Sequence, residues 1–116
     1  MKKFQQVASF DVDLGVAGQE KNVLRSAFSG SRVRVVAELL AGSWSSVSFA
    51  IKYRSGLAAP ANFTGTLALS SSVLSVSFVI ASEVLFDELC LVQSGTSSGG
   101  SVRLIVSEEI DSEVTP

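Results

Sequence analysis

Hydrophobic and polar residues alternate with a period of two along most of this chain, the pattern of strands that bury one face and wet the other. Phe10, Val12, Leu14 and Val16 alternate with Ser9, Asp11, Asp13 and Gly15, and predict a first strand. Val33, Val35, Ala37 and Leu39 alternate with Arg32, Arg34, Val36 and Glu38 in a second. Val47, Phe49, Ile51 and Tyr53 mark a third, and Phe63, Gly65, Leu67 and Leu69 a fourth. Leu74, Val76, Phe78 and Ile80 mark a fifth. The last two segments, near 84–93 and 101–107, are almost continuously apolar, as expected of strands covered on both faces.

Turn-forming stretches separate these runs: Gly15 to Gly18, Ser29-Gly30-Ser31, Ala41-Gly42-Ser43 and Ser70-Ser71-Ser72. Gly95 to Gly100 reads as a flexible hairpin loop between the final two strands. Ser55 to Ala61 forms a longer, partly apolar loop. Only Gln19 to Phe28 lacks alternation, and Gln19 to Leu24 within it predicts a helical turn or a long crossover. Short strands at this spacing, with one long crossover, predict an all-β antiparallel sandwich of jelly-roll type with seven or eight strands. At 116 residues the chain fits one domain, 1–116, with candidate flexible arms at 1–6 and 108–116.

The composition narrows the function. Histidine is absent, which removes the commonest general base, the Ser-His and Cys-His nucleophile pairs and a frequent metal ligand. No phosphate-binding glycine motif precedes a helix, and no nucleophile-elbow motif occurs. The expectation is a protein that is not an enzyme and holds no cofactor or metal. One cysteine, Cys90, excludes an internal disulfide, and its place in Leu89-Cys90-Leu91-Val92 predicts a buried thiol. A net charge of −2 argues against nucleic acid as a partner. No run approaches the ~20 apolar residues of a membrane span, and Met1 to Gln6 does not read as a signal peptide. Asn62-Phe63-Thr64 matches a glycosylation sequon, which without a secretion signal reads as chance.

Hydrophobic residues make up 47% of the chain, charged residues only 17%, and the mean hydropathy is +0.42. More apolar surface than one small core needs points to burial between subunits, hence a homo-oligomer. Candidate contacts are Val36 and Leu40 on the second strand and Leu57, Ala58 and Pro60 in the long loop. The N-terminal arm and the acidic tail, beginning with Glu108 and Glu109, are candidates for strand addition or docking on a neighbour.

A competing reading is a carbohydrate- or ligand-binding module using Trp44, Tyr53, Asp11 and Asp13. Asp11 and Asp13 share one strand face, which suits either a calcium site or, more economically, a polar face paired with Arg32 and Arg34. Asp87 and Glu88 point to opposite faces, and Arg103 is a candidate partner for one of them.

The segment Ser46-Val47-Ser48-Phe49-Ala50-Ile51-Lys52-Tyr53-Arg54-Ser55-Gly56 and the closing stretch Leu85 to Val106 resemble small β-sandwich structural proteins of tailed-phage virions. The resemblance spans roughly 31–107 and lies in a shared arrangement rather than a diagnostic motif. A strand and a variable loop are followed by a final hairpin with a Ser/Gly/Thr-rich tip. It implies capsid decoration or cement proteins, head fibres or adaptors, commonly trimers, with a major capsid protein as partner. The location implied is the virion, assembled in the host cytoplasm. The same pattern resembles discoidin-type and carbohydrate-binding sandwiches, which usually carry calcium ligands or exposed aromatic residues.

Overall fold

The computed structural model of the chain describes residues 2–16, 18–28, 32–42, 47–68, 73–80, 85–96 and 99–111. Eight strands are described: β1 (Lys2–Asp13), β2 (Glu20–Leu24), β3 (Arg32–Gly42), β4 (Ser48–Arg54), β5 (Ala61–Ala68), β6 (Val73–Val79), β7 (Glu88–Ser94) and β8 (Gly100–Asp111). A single 3-10 turn, Arg25–Ala27, follows β2. The strands form two four-stranded antiparallel sheets, ordered β1-β8-β3-β6 and β2-β7-β4-β5.

The order follows from one long hairpin rolled over on itself. β4 pairs β5, β3 pairs β6, β2 pairs β7 and β1 pairs β8, each pair enclosing the one before. Rolling then adds two contacts, β3 against β8 and β4 against β7, which stitch the four pairs into two sheets. This is the jelly-roll topology that the alternation predicts.

The inward faces carry the alternating apolar residues. Val33, Val35 and Ala37 of β3 oppose Glu108, Val106 and Leu104 of β8, while Phe49 and Ile51 of β4 come from the other sheet. All of these apolar side chains are fully buried in one cluster that joins both sheets. The two continuously apolar segments are indeed central strands: β8 lies between β1 and β3, and β7 between β2 and β4.

Three expectations need correction. Residues 20–24 form the edge strand β2, where the missing alternation predicts a helical turn or a crossover. Only Val23 of β2 is buried, so five residues with Lys21 on the inward side leave no period to read. Gly95 to Gly100 is not a hairpin loop, because β7 and β8 lie in different sheets and the connection crosses the sandwich. Over the described residues the expected arms are strand as well, since Lys2 to Gln6 pair with Asp111 to Ser107. A jelly roll joins its first and last strands, so these segments close the sheet. Residues 112–116 lie outside the described residues.

Where β3 ends against the start of β8, the backbones come unusually close. Gly42 has φ +74°, and a Cβ placed there would lie 2.7 Å from the Gly100 Cα. Gly56, at φ +58°, has open space around it. Gly56→Ala is therefore expected to cost about 1 kcal/mol in left-handed strain alone. Gly42→Ala adds a backbone collision, so its Tm should fall further, by about 4 °C for each additional kcal/mol. Equal melting temperatures for the two variants, measured by circular dichroism, would contradict the close approach of β3 and β8.

Candidate functional site

The most distinctive surface lies at the end of the sandwich that carries the β2–β3, β4–β5 and β6–β7 connections. Three large apolar side chains stand in water there: Leu24 at 62%, Leu57 at 106% and Leu85 at 84% exposure. Leu24 ends β2, Leu57 and Leu85 belong to connections, and the segments around all three are tied into one platform. The Ala58 N–H donates to the Ser55 carbonyl at 3.1 Å, closing a tight turn that Gly56 enters at positive φ and that holds Leu57 at its tip. Arg54 Nε donates to the Ala58 carbonyl at 3.2 Å. The Ser55 hydroxyl donates to the Leu85 carbonyl at 2.6 Å, and the Gly56 N–H donates to an Asp87 carboxylate oxygen. The Arg25 N–H donates to the Asp87 carbonyl at 2.7 Å, and the Asp87 N–H donates to the Arg54 carbonyl at 2.8 Å. Beneath the platform Phe86 is buried, with Tyr53 against its ring at 5.9 Å and the Arg25 guanidinium over it at 5.5 Å. A turn this well tethered presents Leu57 with little ordering left to do on contact.

Beside this end, the outer face of the second sheet carries a charge cluster. Arg54 Nη1 donates to Glu20 at 2.8 Å and to Glu88 at 2.7 Å, while Nη2 donates to the other Glu20 oxygen at 3.1 Å. The Cys90 sulfur and one oxygen of each glutamate lie within 4.8 Å of one another, a grouping with the makings of a metal site. Arg54 already neutralises it, so a cation would have to displace a guanidinium that bridges both carboxylates. The hydrogen bond from Arg54 holds Glu20 below its ordinary value. Burial, aided by the Glu20 and Glu88 carboxylates, pushes the Cys90 thiol up to about 11. Cys90 points outward in register yet is fully buried.

The opposite end offers a complementary feature, on the outer face of the first sheet. β8 starts there with the small residues Gly100 and Ser101, between β1 and β3. The result is an open depression of about 540 Å³, lined by Asp11 to Asp13 on one side and Leu40 and Ala41 on the other. Asp11 pairs with Arg103 at 2.9 Å, which holds its carboxyl below the usual range. Asp13 accepts the Gly15 N–H at 2.9 Å.

The residues that stand out in the sequence are scattered. Leu57, Ala58 and Pro60 belong to the apolar end, Leu40 to the depression, and Val36 to the half-buried middle of the first sheet's outer face. Glu108 is no docking tail: it faces inward opposite Val33 and is 5% exposed. Glu109 faces outward and pairs with Arg32 at 3.3 Å. Asp11 and Asp13 sit in the first sheet, while Tyr53 packs against the core in the second, so no common site gathers them. Trp44 lies outside the described residues. The partner of Asp11 is Arg103, in place of Arg32 or Arg34, because β1 neighbours β8 and not β3. Arg103 is thereby unavailable to Glu88, which Arg54 satisfies. Leu24 and Leu85 carry no signal in the sequence, because each falls in a segment without alternation; their place beside Leu57 comes from the topology.

No protein-family model matches this chain, and no curated protein matches it. Among solved structures, a chain from Bacillus endospore appendages, described as a novel family of disulfide-linked pili, is similar at 15% identity and a TM-score of 0.45. The match covers 94% of this chain and 88% of that one. The likeness is one of small all-β architecture, and the phage-virion resemblance rests on the sequence features alone.

Two measurements check the charge cluster. Glu20 titrates lower folded than unfolded, so its share of stability is present above its ordinary value near 4.5 and is lost as pH falls through the folded value. Arg54→Met should lower the urea midpoint at pH 7, with a gap to wild type that closes in acid. A gap independent of pH would show that Arg54 acts through packing alone. Alkylation of Cys90 by iodoacetamide should be negligible in the native protein and rapid in urea; fast native labelling would contradict its burial.

Proposed function

We propose that this protein is a non-catalytic structural subunit that self-associates, with a role in decorating or cementing a phage capsid as the particular setting. The observation that carries the reading is the pre-organised apolar end, where Leu24, Leu57 and Leu85 are exposed on a hydrogen-bonded platform. Three exposed leucines at one tethered end of the sandwich are costly for a freely diffusing monomer and useful in an assembly. The virion setting is supported by the sequence resemblance over residues 31–107 and by a jelly-roll topology, an architecture used in capsid domains. That support is analogy of fold and of sequence arrangement, weaker than the physical case for association.

A catalytic role finds little support. Histidine is absent from the chain, Arg103 neutralises Asp11, and Arg54 neutralises Glu20 and Glu88. Among the described residues, no site gathers Tyr53 with Asp11 and Asp13 for the ligand-binding reading.

Static light scattering across a dilution series tests the proposal. The expected result is a mass above the monomer's that falls on dilution, and a Leu57→Asp variant that stays monomeric with an unchanged melting temperature. A wild-type protein that is monomeric at every concentration would overturn the reading.

A further inference from the structure

Resting on the self-association reading, we infer that copies of this chain dock head to tail, with the Leu57 turn of one copy seated in the Leu40 depression of the next. The occupant is a second copy of the same chain, and placement is the first reason. Leu57 caps the end where β4 finishes and β5 begins. The depression lies at the other end, where β1 and β3 finish and β8 begins. Strands of one sandwich separate the two features, so no copy can satisfy both by itself.

Shape is the second. Leu57 projects fully from a turn whose two neighbouring residues, Gly56 and Ala58, are small. The depression is open, about 540 Å³, and has an apolar wall made by Leu40 and Ala41. Leu40 sits at the β3 irregularity between Leu39 and Ala41, which leaves it 39% exposed towards the depression. A leucine-tipped turn is a fitting size for such a hollow.

Charge makes the same match. At the depression, Asp13 has one oxygen engaged with the Gly15 N–H and no ion pair among the described residues. At the apolar end, Arg25 lies over Phe86 and donates to the Phe28 carbonyl at 3.4 Å, with no carboxylate partner among the described residues. Arg25 beside the turn and Asp13 beside the hollow can pair, and Asp87, the carboxylate at the turn itself, is engaged by the Gly56 N–H.

The consequence is a heterologous contact. Each copy carries one turn and one hollow, so joining two copies leaves one of each free, and growth continues until a ring closes or a filament forms. A two-fold contact through Leu57 alone would stop at a dimer.

Complementation tests this. Leu57→Asp removes the turn's apolar tip and keeps the hollow; Leu40→Asp spoils the hollow and keeps the turn. Near-ultraviolet circular dichroism checks that each variant folds, and Ala58→Asp and Ala41→Asp, at exposed positions on the same features, replace either one that does not. By light scattering, wild type should grow beyond a dimer with concentration, and each variant alone should be a monomer. An equimolar mixture of the two should form a discrete dimer that grows no further, since one good turn and one good hollow remain per pair. A wild type that stops at a dimer, or a Leu40→Asp variant that assembles as wild type does, overturns the head-to-tail contact while leaving self-association standing. A mixture that stays monomeric overturns it too. A monomeric wild type removes both together.

Discussion

The double pairing of β8 is the constraint on which the rest of the structure depends. β8 bonds to β1 along one edge and to β3 along the other, from Gly100 to the last paired residues near Asp111. Val102, Leu104 and Val106 are consequently fully buried, opposite Val12, Phe10 and Ala8 on one side and Leu39, Ala37 and Val35 on the other. Closing the first strand on the last forces the intervening chain into nested pairs. Those pairs in turn decide which connections share an end of the sandwich. The grouping of Leu24, Leu57 and Leu85 is thus set by topology, through residues distant in sequence.

The outer faces follow a different logic. Two rows of cross-strand partners on the first sheet pair opposite charges: Asp11, Arg103 and Glu38 align across three strands, and Glu109 pairs with Arg32 across two. Exposed pairs of this kind contribute little each, on the order of 0–1 kcal/mol. Their effect is on register, because a one-residue slip of β8 would bring its charges inward. Arg34 shows the same economy: its Nε lacks a hydrogen-bond partner, yet the guanidinium lies 4.0 Å from the Phe4 ring centroid. Phe4 can cover it only because residues 2–6 are strand.

Much of this architecture is legible in the sequence, and the misreadings have a common cause. Alternation reports which face a residue occupies, so Val33, Val35, Phe49 and Ile51 are readable as core from the pattern alone. It does not report which sheet a strand joins. Gly95 to Gly100 therefore resembles a hairpin loop, and the arginines expected for Asp11 belong to a strand that is not its neighbour. The strand β2 escapes the pattern because its inward positions include Lys21, whose long stem tolerates such a place. The apolar end is half visible: Leu57 stands out in a loop, while nothing local groups Leu24 and Leu85 with it.

The energetics of the apolar end also bear on the kind of assembly it can support. Burying one leucine side chain gains about 1.5–3 kcal/mol, whereas bringing two proteins together costs on the order of 4–15 kcal/mol. A contact built on three exposed leucines and one or two charges is accordingly weak in isolation. A pair joined by it once forms only at protein concentrations above a weak Kd, the range in which the mixed variants and wild type are to be compared. Closing a ring changes the balance, since a subunit held at both ends must lose both contacts to leave while its loss of freedom is incurred once. The sparse charge elsewhere, 17% of residues, puts little electrostatic repulsion in the way of such stacking. A modest surface patch then becomes sufficient through repetition, which suits a subunit whose partners are copies of itself.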